Sequence, residues 1–416
     1  CPNVIKLAGV SKWFIRTILR YSITLVAIPI LFILKTIFRL QVGYFSSSRI
    51  GHFAPDVAWY IATREIENSQ RAQDNSRGCV NVFFWEPDLC NEFFEKMVRR
   101  TIFAVRVPRR CYKMLTTAPM LHKFWLLPAR EKNGSRDPDG RVYRARKILS
   151  FSNEENATGR KYLSEKGYDE YTKFVCLLVR DREYLRIVND KLGQSRDSSY
   201  HDYRDSDIET YYAAAEYLAE KGYVVFRMGK HMERPMRSDS QRIIDYAFSA
   251  ERCDFLDIWL MANCAFCVST GTGLDAIATI FRRPTLYLNF LPLGDIWSSQ
   301  FCVTVPKKLY WQGSGRLLSV YEYMEHSYHS SSDYDQNNLE IQALGSDEIV
   351  NAIIEMDQRV TGYRNETEEA SLSQEQFWQM FCSAPGFSDN HDWINPKARV
   401  GADFLAKYGH EFLACS

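Results

Sequence analysis

The chain lacks a charge surplus: 52 lysines and arginines stand against 51 aspartates and glutamates, a net charge of +1. Holding a nucleic-acid backbone takes a concentrated basic excess, so no nucleic-acid partner is expected. A cysteine pattern is missing too. Eleven cysteines, an odd number at irregular spacing, build neither a disulfide framework nor a zinc site. Cys264 and Cys267 form a Cys-x-x-Cys, but inside an apolar run and with no second pair behind it. Buried free thiols in a reducing compartment are the expectation. Internal repeats are absent, and no apolar run reaches the roughly 20 residues of a membrane-spanning helix. What is plentiful is apolar sequence, 46% of residues against 25% charged, in a chain whose 416 residues suit two cores better than one.

The nearest approach to a span is Tyr21 to Leu34, almost uncharged but interrupted by Pro29. A basic amphipathic pattern with Lys6, Lys12, Arg16 and Arg20 precedes it, and Lys35 and Arg39 follow. That arrangement suits a helix lying in the membrane interface, its cations on anionic headgroups. Residues 1–40 are therefore expected to form a membrane-associating helical segment, with a signal anchor or a helix buried on the domain as the alternatives.

Beyond it the chain alternates strand and helix patterns, the signature of an α/β fold. A first unit, 41–168, opens with a strand at Val42–Phe45, a loop Ser46–His52 and a helix with Val57, Tyr60 and Ile61 on one face. A second strand at Val80–Phe84 and a helix at Asn91–Val98 follow, and the polar, Pro- and Gly-punctuated stretch 128–160 is expected to be a mobile loop near a cleft. The second unit, 169–395, begins with Thr172–Val179, a continuous apolar run suited to a parallel strand buried on both faces. Arg180-Asp181 ends it. Next come a loop of about 20 residues, too aromatic for disorder, a helix after Asp207, and a strand Tyr223–Phe226 that closes in Arg227-Met228-Gly229-Lys230-His231. Asp254–Asp257 opens another helix, and Ala265–Val268 leads into Ser269-Thr270-Gly271-Thr272-Gly273-Leu274-Asp275 and a strand at Thr285–Asn289. His326 to Asn338 looks like a surface loop, Ile349–Val360 and Gln374–Phe381 like helices, and 396–416 like a terminal helix.

Three strands thus end in polar loops, and in a doubly wound sheet those ends share one edge. Arg180, Arg227 and Lys230, with Gly229 between the latter two, would meet there with the glycine turn and a helix start, equipment for a diphosphate. Gly271 and Gly273 allow close backbone approach, Ser269, Thr270 and Thr272 offer hydroxyls, and Asp275 is placed to cap N–H groups or grip a sugar hydroxyl. Asp205-Ser206-Asp207 has the spacing of a metal-binding pair, but it sits where a helix N-cap belongs.

The Ser269 loop, its helix, Pro284 and the strand ending in Asn289 resemble the donor-loop segment of GT-B glycosyltransferases. Over residues 40 to 410 the order of Ser48–His52, Leu178–Asp181, His201–Glu209, Val225–Lys230, Asp254–Asp257, the Ser269 loop and Asn289–Gly294 resembles a bacterial glycosyltransferase family linked to surface-polysaccharide synthesis. The resemblance implies two Rossmann-like domains facing a cleft, and a C-terminal helix that crosses back to the first domain. It further implies a nucleotide-sugar donor, a glycan or lipid-linked acceptor, no metal or cofactor, and work at the cytoplasmic face of a membrane. Arg180, Arg227 and Lys230 would then neutralise the diphosphate, and the Ser269 loop and Asp275 would hold phosphate or sugar. A base would come from the first domain, His52 first and Asp56 second. A nucleotide-sugar epimerase of the same plan and a membrane-tethered nucleotide-binding module are the alternatives.

Overall fold

The computed structural model of the protein describes residues 33, 40–74, 80–86, 88–106, 125–126, 135–146, 148–191 and 199–414. The expected membrane-associating segment, 1–40, lies almost wholly outside them; among the described residues no helix is long and apolar enough to cross a membrane.

Two parallel sheets organise the described chain. The first joins β1 (Leu40–Phe45), β2 (Val80–Trp85), β3 (Ala104–Arg106) and β4 (Trp125–Leu126) in the order β3-β2-β1-β4. The second contains β5 (Phe174–Leu178), β6 (Val224–Arg227), β7 (Ile243–Ile244), β8 (Phe266–Ser269), β9 (Thr285–Phe290) and β10 (Cys302–Pro306). Past an antiparallel ribbon of β11 (Lys308–Trp311) and β12 (Leu339–Gln342), the strand β13 (Arg399–Val400) completes it in the order β13-β10-β9-β8-β5-β6-β7. Every residue of β5, β6, β8 and β9 is buried. That is why these strands are mainly apolar on both faces rather than alternating.

The helices that matter to the site are α1 (Ile50–Asp74), α2 (Glu92–Arg99), α3 (Asn153–Glu165), α4 (Asp254–Asn263) and α5 (Asp275–Ile280). Phe45, Phe53, Val57 and Phe83 of the first unit share one continuous apolar core with Cys176, Phe226, Met261 and Ile277 of the second. The units are therefore fused rather than tethered. Asn91 and the N–H of Glu92, at the start of α2, bond Asp254 at the start of α4.

Three expectations change. Within the stretch 128–160, helix α3 starts on a capping box between Ser152 and Glu155, and Tyr162 packs on Phe226, 6.3 Å between ring centroids. This helix, expected on the first unit's side of the boundary, layers on the second sheet. In the stretch 326–338 a helix, Ser331–Gln336, buries Tyr334 completely, so it is a packed element and not a loose surface loop. The terminal helix Ala402–Phe412 packs Phe404 and Phe412 with Phe377 inside the second unit. The return to the first unit is made instead by Asp392 and Trp393, whose N–H groups both bond Pro138.

Candidate active site

The second sheet runs outward from β5 through β6 to β7, then resumes on the other side of β5 with β8. Adjacent parallel strands whose connections leave in opposite directions open a crevice beyond their carboxyl ends, the usual ligand position of such sheets. Here the crevice lies between Arg180 and Thr270, and the N–H of Arg180 donates to Thr270 Oγ1 at 2.9 Å. The first sheet has its own reversal at β1, whose following loop carries Arg49, Gly51 and His52. The two reversals face each other across a cavity of about 470 Å³.

One wall of that cavity is cationic, with Arg180 and Arg204 side by side. Arg180 bonds Asp205 Oδ1 through Nε at 3.0 Å, leaving Nη2 buried and without a partner among the described residues. Burial, then the neighbouring Arg204 charge, lowers the Arg180 pKa, while burial raises that of Asp205 despite the pairing. For both partners burial outweighs the pairing. Arg204 donates to the carbonyl of Gly271, and His201 leaves Nδ1 unpartnered among the described residues. Burial, followed by Arg180, Arg204 and Arg49, takes His201 down to about 4, so it is neutral near pH 7 and can donate or accept without adding charge. Thr272 Oγ1 likewise has no partner among the described residues.

The glycine turn is shaped from within. Ser269 Oγ donates to Asp275 Oδ2 at 2.7 Å and accepts from the N–H groups of Gly271 and Thr272 at 3.1 and 3.3 Å. Gly271 holds φ +76, and a Cβ there would stand 3.0 Å from the Phe290 ring. Burial lifts Asp275 to about 6, opposed by the Ser269 bond and Arg204.

Of the residues singled out from sequence, His52, Arg180, Gly229, Lys230, Gly271, Thr272, Gly273 and Asp275 line the cavity. Arg227, Ser269, Thr270 and Asp56 are not on its wall. Arg227 pairs in register with Leu177, inside the sheet, whereas Arg180 lies beyond the strand end. Its side chain is 1% exposed, held by Asp245 at 3.2 Å and the Arg234 carbonyl at 3.0 Å. Ser269 pairs with Leu178 and Tyr287, so it too belongs to the sheet, and its hydroxyl caps the turn. Asp56 is buried one helical turn beyond His52, about 6 Å deeper along α1. Lys230 reaches across to the Cys90 carbonyl at 3.1 Å.

His52 sits on the first-unit wall, its Nδ1 3.2 Å from Ser135 Oγ. Beside it Arg136 crosses to Asp295 of the second unit, 2.6 Å between Nη2 and Oδ2. Burial would raise Asp295, but Arg136 and the His329 hydrogen bond outweigh it and hold the carboxyl below its ordinary value. Asp207 caps the short helix after it, accepting from Glu209 N at 3.1 Å, while Asp205 turns to Arg180, so this pair does not converge on a metal. Among the described residues no group of three or more His, Cys, Asp or Glu side chains is placed to hold a metal ion.

Sequence reasoning missed His201, Arg204, Arg136 and Asp295. The first two lie in the long aromatic loop, whose length and composition were signal enough to suspect a site. Nothing local marks Arg136.

No protein-family model matches the sequence, and no curated protein matches it. Among solved structures, the chain is similar to the glycosyl transferase family 9 protein from Veillonella parvula DSM 2008, at 10% identity and TM-score 0.48 over 76% of this chain and 96% of that one. It is also similar to the E. coli ADP-heptose LPS heptosyltransferase II, at 11% identity and TM-score 0.35 over 61% and 85%. E. coli heptosyltransferase WaaC with ADP-2-deoxy-2-fluoro heptose matches at 13% identity and TM-score 0.29 over 64% and 93%.

Proposed function

We propose that the protein is a glycosyltransferase that moves a sugar from a nucleotide-sugar donor to a glycan or lipid-linked acceptor, without a metal, at the cytoplasmic face of a membrane met by residues 1–40. The observation that carries this is the cationic crevice: Arg180 with a buried Nη2 that has no partner among the described residues, next to Arg204, His201 and the Thr272 hydroxyl, at the carboxyl ends of β5 and β8. Buried cations with spare donors stabilise a dianion more than water does.

In the transfer, the bond from the sugar's anomeric carbon to the donor phosphate breaks and a bond to the acceptor oxygen forms. Arg180, Arg204 and Lys230 take up the charge of the departing diphosphate. The acceptor proton passes to His52 on the facing wall, and Ser135 orients that imidazole. Arg227, Ser269, Thr270 and Asp275 shape the loops that hold these groups.

The test is a thermal-shift screen of UDP-, GDP- and ADP-linked sugars, because a ligand bound to the native state raises its apparent stability. Any donor that binds is then followed for release of nucleoside diphosphate, with and without a glycan acceptor. Conversion of the sugar with no acceptor present would indicate the epimerase instead. If no donor shifts the midpoint and none is consumed, the proposal is wrong.

A further inference from the structure

Next to the cationic wall, but not lining the cavity, is a lysine that the transfer itself does not use. Lys307, 5% exposed, follows β10 and donates from Nζ to the backbone carbonyl of Asp205 at 2.6 Å. Asp205 in turn receives Arg180, and the N–H of Ser206 bonds the Arg180 carbonyl at 3.0 Å. The same segment carries His201 and Arg204, and Ser331 fastens its start by bonding the N–H of Tyr203 and the carbonyls of Ser199 and Tyr200. We propose that Lys307 is a positioning residue for donor binding: it pins the segment that carries His201 and Arg204 against Arg180, and adds a buried positive charge felt by the donor phosphates.

The arrangement is unusual in its charge balance. Arg180 bonds the Asp205 carboxylate and Lys307 the backbone carbonyl of the same residue, so one carboxylate accompanies two cations and the group is a net cation before any ligand arrives. The charged groups facing Lys307 are Asp205 and Arg180, and the Tyr323 hydroxyl donates to its backbone carbonyl at 2.9 Å. Burial brings the ammonium down to about 8; Asp205 opposes that shift and Arg180 adds to it. A donor dianion would favour the charged form and raise the value again. Affinity is then greatest below about pH 8, falls as the pH rises through it, and binding near that pH takes up a proton. Asp257 and Asp275, at about 6, and Cys90, at about 12, titrate outside this window.

This inference rests on the proposed donor, and one experiment separates the two. Titration calorimetry with UDP-glucose, GDP-mannose and ADP-glucose, whose diphosphates stay ionised throughout, is run from roughly pH 7 to pH 9 in buffers of different ionisation enthalpy. Wild type should lose about tenfold in affinity across the range and take up protons near pH 8. Lys307→Arg should hold the low-pH affinity throughout, and Lys307→Met the weaker high-pH affinity throughout. A flat wild-type profile overturns the proposal, as does an unchanged slope in either variant; if Lys307→Met does not fold, the arginine variant decides alone. Should no nucleotide sugar bind wild type at any pH, the donor assignment is wrong and this inference falls with it.

Discussion

Gly51 of the first unit and Gly273 of the second touch through their backbones: a Cβ built on Gly51 would stand 2.8 Å from Gly273 Cα, and one built on Gly273 would stand 2.9 Å from Gly51 N. The starts of α1 and α5 therefore abut, which sets how closely the two sheet reversals face each other. The glycines are needed here for proximity, not for a left-handed backbone.

Substituting Gly273 by Ala should push the units apart and cost about 1–3 kcal/mol, as overpacking does. Urea unfolding measures this. A wild-type midpoint with wild-type donor binding would show that the contact is not tight.

Arg204→Gln removes a cation from the cavity wall and its bond to the Gly271 carbonyl without emptying the core. Donor affinity should fall at least about tenfold, the scale of a charge-assisted hydrogen bond, while the unfolding midpoint moves little. Unchanged affinity in calorimetry would take Arg204 out of the site.

Arg227 tests the opposite case. Arg227→Ala leaves Asp245, 13% exposed, without its cation, and should destabilise the fold by about 3 kcal/mol. Any loss of turnover should follow that instability. A variant that unfolds like wild type yet binds no donor would instead place Arg227 in the binding site.

His52→Asn should keep donor binding and lower turnover by about a hundredfold or more, the scale of general-base catalysis. Full turnover across the pH profile would locate the base elsewhere.

Asp275 gives a stability signature. Its pKa is raised from 3.8 to about 6 in the fold, so its contribution favours folding below the unfolded value and is lost as the pH rises through about 6. Asn has no proton to lose. The unfolding free energy of Asp275→Asn, relative to wild type, should therefore improve between about pH 4 and pH 7, by about 3 kcal/mol at most. A difference that does not change with pH would mean the carboxyl is not buried as an acid.

What could be read without coordinates was whatever depends on neighbours in the chain. Thr172–Val179, Tyr223–Phe226 and Thr285–Asn289 announce buried parallel strands because their central residues are apolar on both faces, as a strand covered on both sides requires. The turn at Gly271 and the N-cap at Asp207 are equally local. The capping box of Ser152 and Glu155 is local as well.

The sequence by itself determined that the chain is α/β, that its polar residues gather at strand ends, and that Arg180 and the glycine turn stand at two of them. Only the tertiary structure decided which of those residues meet. Arg180 and Arg227 look alike in the sequence, each closing an apolar strand, yet the register that sets Arg227 beside Leu177 buries it while Arg180 clears the sheet edge. Arg204 and Arg136 come from stretches without a shared pattern, and nothing in local sequence says that they line one cavity or that Lys307 reaches the segment carrying Arg204. Side-chain direction and partner depend on contacts between residues far apart in the chain, 159 positions for Arg136 and Asp295, and the packing of the two sheets sets those contacts.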